Sequence, residues 1–216
     1  MSITKDLPDI HLLTNCNDFS DKYLLFINDC VAAGLSYVQL RQKNLQFQEL
    51  LAFGKELKSI LSEYKVPLII NDNLKLALEL DAEGLHLGQS DVSVKIAREV
   101  LGKQKIIGLS IESTQELMIA NQLTSINYVA ASAIFPSKTK HNLKKIWGLD
   151  GLQQFCSMSR HSVVAIGGID SENVAQVITT GVTGVAIISA IHDADNPKNY
   201  IQRLIKLMSG KQNEPV

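Results

Sequence analysis

Two short apolar runs, Leu68-Ile69-Ile70 and Gly84-Leu85-His86-Leu87, each end in amide and acidic groups, Asn71-Asp72 after the first and Gln89-Ser90-Asp91 after the second. Between them Leu74, Ala77 and Leu78 recur at helical spacing. Strand, helix and strand joined this closely form a right-handed crossover, which makes the strands parallel neighbours and brings Asp72 and Asp91 out on one rim. Two carboxylates on one rim suit a divalent cation. An Asn-Asp after a strand also caps helices, and Gly-Gln-Ser-Asp is also a turn with an N-cap. On this stretch alone both readings stay open.

Other chemistry-bearing groups follow other apolar runs. Gln39-Leu40-Arg41-Gln42-Lys43 closes one, Ser110 another, Ser137-Lys138-Thr139-Lys140 lies beyond a third, Gly167-Gly168 beyond a fourth and Ser189 beyond the last. Arg41 and Lys43 are either solvated loop charges or anion ligands. Gly167-Gly168 is either a tight turn or, with Gly184 to Ser189, a phosphate cradle of backbone amides and a helix N-terminus. The Ser-Lys-Thr-Lys segment is either a flexible basic loop or a lid over polyphosphate. A cation held by one or two carboxylates plus phosphate oxygens is Mg²⁺ rather than Zn²⁺. The histidines show no ligand pairing, and His86, on a strand, is expected to be a satisfied core or rim side chain.

These groups need a scaffold that puts every strand end on one side. Apolar runs alternate with amphipathic stretches throughout: strands at Ile10–Leu13, Tyr37–Leu40, Leu68–Ile70, Gly84–Leu87, Ile106–Leu109, Tyr128–Ala131, Val163–Ile166 and Val185–Ile188. Phe47, Leu50, Leu51, Gly54, Leu57 and Leu61 mark one helical face. Val92 to Leu101 is expected as a helix stopped by Gly102, Ser113 and Glu116 as a capping box, and Pro197 as the start of a last helix capped by Asn196. Nearly all-apolar strands are covered on both faces. Eight such units predict an α/β fold, a (β/α)₈ TIM barrel, as a single domain over residues 1–216 with a frayed tail from 210. The polar stretch from Phe135 to Gly148 is the longest irregular connection, a length associated with function.

Composition narrows the partners. A net charge of -1 across 216 residues gives no footprint for nucleic acid or a membrane surface. No run approaches the roughly 18 apolar residues of a spanning helix, and the N-terminus has no apolar leader core, so a cytoplasmic protein is expected. Three cysteines, Cys16, Cys30 and Cys156, lack metal-ligand spacing. Cys30 and Cys156 fall among apolar residues as small core side chains, and no disulfide is expected.

Val38 to Lys43, Ile70-Asn71-Asp72, Gly84 to Asp91, Ile134 to Lys140 and Ala165 to Ile169 together resemble the thiamine-phosphate synthase family. The resemblance runs from the first strand to the last helix. It implies small-molecule substrates, an aminopyrimidine methyl diphosphate and a thiazole phosphate, joined with release of pyrophosphate, Mg²⁺ as cofactor and a homodimer as assembly. It assigns Gln39, Arg41, Lys43, Asn71, Ser110 and Lys140 to the pyrimidine diphosphate, with Arg41, Lys43 and Lys140 stabilising the leaving group. Asp72 and Asp91 would hold the metal; Ser137, Thr139, Gly168, Ile188 and Ser189 would bind the thiazole phosphate. The chain departs from the family pattern at Ser132-Ala133, Ser137, Ser110-Ile111-Glu112-Ser113 and the basic stretch His141 to Trp147. A thiazole tautomerase of similar fold lacks both acidic positions and has a histidine where this chain has Ala133. Another phosphate-handling isomerase barrel would need an acid-base pair and no metal. A catalytically silent sensor of thiamine precursors would bind without turnover.

Overall fold

The first strand, β1 (Asp9–Leu13), pairs in parallel with both β2 (Tyr37–Leu40) and β8 (Gly184–Ile187), so the sheet closes on itself. Around the ring lie β3 (Leu68–Asn71), β4 (Gly84–Leu87), β5 (Ile106–Ile111), β6 (Tyr128–Ser132) and β7 (Ser162–Ile166), each hydrogen-bonded to its sequence neighbours. The computed structural model describes residues 8–15, 20–42, 45–136 and 145–210. Helices α1 (Asp21–Ala32), α2 (Phe47–Glu63), α3 (Leu74–Glu79), α4 (Val94–Leu101), α5 (Thr114–Ala120), α6 (Gly148–Met158) and α7 (Val174–Thr179) connect the strands. A four-residue α8 (Ser189–His192) precedes α9 (Pro197–Met208). The architecture is a single (β/α)₈ barrel, as the alternation predicts.

Strand side chains alternate between two cores. Residues such as Leu12, Val38, Ile70, Leu85, Ile107, Val129, Val163 and Val185 join the large core under the helices. The other set faces the barrel interior, where Leu13, Tyr128, Ala130, Val164 and Ala186 form a smaller cluster. Polar inward residues thus sit above and among an apolar floor.

Local chemistry corrects several boundaries. The helix expected from Val92 begins at Val94, because Ser93 caps it through Oγ to the Ile96 N–H. The last strand ends at Ile187, and Ile188 becomes the N-cap position of α8. Ser113 does accept the Glu116 N–H, but Glu116 Oε2 takes the N–H of Glu112 rather than that of Ser113, so the box closes one residue early. Asn196 caps α9 as expected. The tail from 211 lies outside the described residues.

Candidate active site

At the carboxyl ends of the strands a cavity of about 450 Å³ opens into the barrel. Of the residues expected to form a site, Gln39, Arg41, Asn71, Asp72, Asp91, Ser110, Gly168, Ile188 and Ser189 all line it. Lys43, Ser137, Thr139 and Lys140 lie outside the described residues.

Register explains the convergence. Gln39 pairs with Leu13 of β1 and Ile69 of β3, and Asn71, two residues beyond Ile69 on the same face of β3, pairs with His86 of β4, so neighbouring strands turn polar groups toward the cavity. Arg41 is held just beyond β2 by Thr14, whose Oγ1 accepts the Arg41 N–H at 2.9 Å and donates to the Arg41 carbonyl at 3.1 Å. Asp72 has φ of 62°, a left-handed turn that aspartate tolerates, and its N–H donates to the His86 carbonyl at 2.8 Å. The loop after β3 is thereby fastened to β4.

The caps of the flanking helices separate the two readings of the carboxylates. α3 is capped by Asn73, whose Oδ1 accepts the Leu76 N–H, and α4 by Ser93. Neither Asp72 nor Asp91 serves as an N-cap. Asp91 does order its own turn, Oδ2 accepting the Gly88 N–H at 2.6 Å.

Gly167 and Gly168 follow β7 with φ of 106° and 65°. A Cβ on Gly168 would come 2.6 Å from the Pro136 carbonyl and 2.7 Å from Phe135 Cβ, so only glycine lets this turn lie against the chain after β6. Phe135 N–H donates to the Gly167 carbonyl, and Trp147 and Gly148 N–H groups donate to Ala133 and Ile134. Trp147 is buried edge-on against Phe155, and its Nε1–H donates to the Ser132 carbonyl. Trp147 thus covers α6 while pinning the chain entering that helix. Lys145, adjacent, lies over its ring at 4.0 Å.

The cavity floor holds groups that composition did not flag. His11 stacks on Tyr37 with ring centroids 4.4 Å apart, and Tyr128 hydrogen-bonds His86 Nδ1 at 2.8 Å. His86 Nε2 meets Ser110 Oγ at 2.8 Å, and Gln89 Nε2 donates to the Ser110 carbonyl. Burial pushes the Tyr128 and Tyr37 hydroxyls above the usual tyrosine range, so both keep their protons near neutrality. His86 is a satisfied histidine, as expected; its partner Tyr128 could have been found only by aligning inward positions of the strands. Glu112 also lines the cavity, where Ser110 to Ser113 departs from the family pattern.

Gln39 is the exception to this satisfaction. It is 4% exposed, and its Oε1 has no hydrogen-bond partner among the described residues. A buried acceptor left unpaired costs on the order of 1–3 kcal/mol, an expense typical of positions that meet a ligand.

Fold and rim together define a barrel enzyme whose cavity lies, as in others of this architecture, at the carboxyl ends of its strands. Within that class the chain belongs to the thiamine monophosphate synthase family, whose model matches residues 10–191. It is 43% identical over 198 residues to the thiamine-phosphate synthase of Chlamydia abortus, covering 91% of this chain and 93% of that one. To the enzyme of that name from Vibrio campbellii it is 44% identical over 182 residues, covering 84% and 89%. Its structure superposes on thiamine phosphate pyrophosphorylase from Pyrococcus furiosus with a TM-score of 0.84 at 29% identity, covering 95% and 96%. The likeness to KGPDC from Streptococcus mutans, with a TM-score of 0.71 at 13% identity over 96% and 100%, is one of fold alone. Membership carries the family's activity, thiamine-phosphate synthesis, a group transfer; the tautomerase alternative is not favoured. No helix among the described residues is long and apolar enough to cross a membrane.

Proposed function

We propose that this cavity joins an aminopyrimidine methyl diphosphate to a thiazole phosphate, an alkyl transfer to the thiazole nitrogen that yields thiamine phosphate and pyrophosphate. The observation that carries the reading is the orphaned Gln39 Oε1, an acceptor inside the cavity and suited to an exocyclic amine donor. Asn71, Arg41 and Ser110, with Lys43 and Lys140, complete the pyrimidine diphosphate site. Gly168, Ile188 and Ser189, with Ser137 and Thr139, take the thiazole phosphate on backbone amides and hydroxyls.

Mg²⁺ fits the donor set. Asp72, Asp91 and Glu112 line one cavity, one Asp91 oxygen is committed to Gly88, and among the described residues no three metal-capable side chains cluster to hold an ion by themselves. Such a sparse oxygen site suits a cation that completes its shell with water and phosphate. When bound through Asp72 and Asp91, it neutralises charge growing on the leaving pyrophosphate.

The chain's own groups do the rest. The bond from the methylene carbon to the diphosphate oxygen breaks, the electron pair leaves with pyrophosphate, and the electron-rich aminopyrimidine carries the methylene cation. Arg41, Lys43 and Lys140 stabilise the departing charge. The thiazole nitrogen, held by its phosphate, then donates its lone pair to that carbon. No general acid or base is needed, which agrees with a rim lacking an activated nucleophile among its described residues.

A pyrophosphate-release assay with both substrates, with and without Mg²⁺, tests this. Release is expected only when pyrimidine diphosphate, thiazole phosphate and metal are all present. Binding of both substrates by folded protein without release would replace the synthase reading with the sensor.

A further inference from the structure

We infer that Tyr128 is a positioning residue that fixes the tautomer of His86 and so makes Ser110 present a hydroxyl proton, a donor, to the ligand in the cavity. The inference rests on the reading of Ser110 as a pyrimidine ligand.

Strand register sets up the contact. His86 on β4, Gly108 on β5 and Tyr128 on β6 are successive register partners facing the barrel interior. Gly108 has no side chain, and a Cβ there would overlap the Tyr128 ring. The phenol therefore lies across β5 and reaches His86, with their rings 5.5 Å apart.

Proton bookkeeping then fixes the direction. Tyr128 is 8% exposed, and among the described residues its hydroxyl has one partner, His86 Nδ1 at 2.8 Å. If the imidazole donated from Nδ1, whether neutral or as imidazolium, the buried phenol proton would have no acceptor, at the cost that attends an unmade buried bond. Tyr128 therefore donates, Nδ1 accepts, and the neutral ring carries its proton on Nε2. Nε2–H donates to Ser110 Oγ at 2.8 Å. The Ser110 hydroxyl, having accepted that bond, keeps its own proton for the cavity it lines. Gln39 Oε1, an acceptor, lines the same cavity from β2, so the pocket offers a ligand both a donor and an acceptor.

Two measurements test this. In nitrogen NMR of ring-labelled histidine, His86 of the wild-type protein is expected as the Nε2–H tautomer; an Nδ1–H tautomer or an imidazolium at neutral pH overturns the inference whether or not the protein is a synthase. In Tyr128→Phe nothing holds Nδ1 as an acceptor, and His86 is expected as a mixture of the two neutral tautomers, the Nδ1–H fraction turning Nε2 into an acceptor for Ser110. The KM for pyrimidine diphosphate should then rise by up to about tenfold, the size of one lost hydrogen bond, with the KM for thiazole phosphate unchanged. An unchanged tautomer in the folded variant, or equal losses for both substrates, overturns it. If Tyr128→Phe fails to fold, the wild-type tautomer alone decides.

Discussion

At the scale of single residues, each carboxylate of the rim can be separated into charge and shape. Asp91 both orders its turn and faces the cavity, so alanine would confound the two. Asp91→Asn keeps an oxygen for the Gly88 N–H and removes the charge. It is expected to cut kcat in the pyrophosphate assay about a hundredfold or more while the melting temperature stays near wild type. Asp72→Asn, which also tolerates the left-handed backbone, should behave alike. Cys30 is a contrasting residue: burial, then the nearby Asp29, pushes its thiol up to about 12, so it should resist alkylation by iodoacetamide in the native protein at neutral pH and react on unfolding. Sequence made these side chains legible because each stands at a strand end or on an apolar helix face. It did not make Tyr128 legible, because its partner His86 lies two strands away and only the register joins them.

At the scale of elements, the two ends of the barrel do different work. Away from the rim, the Arg98 guanidinium of α4 donates to the carbonyls of Gly102, Lys105 and Ser125 and to Asn127 Oδ1, tying the starts of β5 and β6 together. Arg98→Met should lower unfolding free energy by about 2 kcal/mol in a denaturant titration and leave kcat unaltered. On the rim side, α8 is held by His192, whose Nδ1–H donates to the Ile188 carbonyl while Nε2 accepts from Tyr23; Tyr23 in turn accepts the Asn15 N–H. Burial lowers the His192 pKa against smaller raising effects from Ile188 and Asp193. A histidine whose folded pKa is depressed contributes full stability above its unfolded value near 6.5, and that stability declines as pH falls below it. His192→Gln should flatten this part of the stability-versus-pH curve. The four-residue α8 escaped the sequence because it is too short to show a helical period, whereas α2 and α9 show theirs over three or more turns.

At the scale of the whole molecule, closure of eight parallel strands was written into the alternation of apolar runs, since no open sheet accommodates eight such units as simply. Which polar side chains would meet inside the barrel was not, because His11, Tyr37, His86 and Tyr128 come from four strands spread across the chain. The barrel as a unit should respond to occupancy of its rim. Mg²⁺ with pyrophosphate at about a hundred times Kd stabilises a native protein by about 2.7 kcal/mol, which for a chain of this length raises the melting temperature by roughly 5–10 °C. The shift is expected to vanish in the Asp72→Asn, Asp91→Asn double variant, and its persistence there would place the anion and metal elsewhere.

The fit of the Tyr128 phenol over Gly108 also imposes an order on sequence change. A side chain at position 108 collides with the ring as long as the ring is there, while a smaller residue at 128 merely opens a space. Descendants of this sequence can therefore fill position 108 only after giving up the tyrosine, and a return to tyrosine is then closed until the glycine is restored. The two positions can therefore change only in a fixed order in either direction, each conditional on the other.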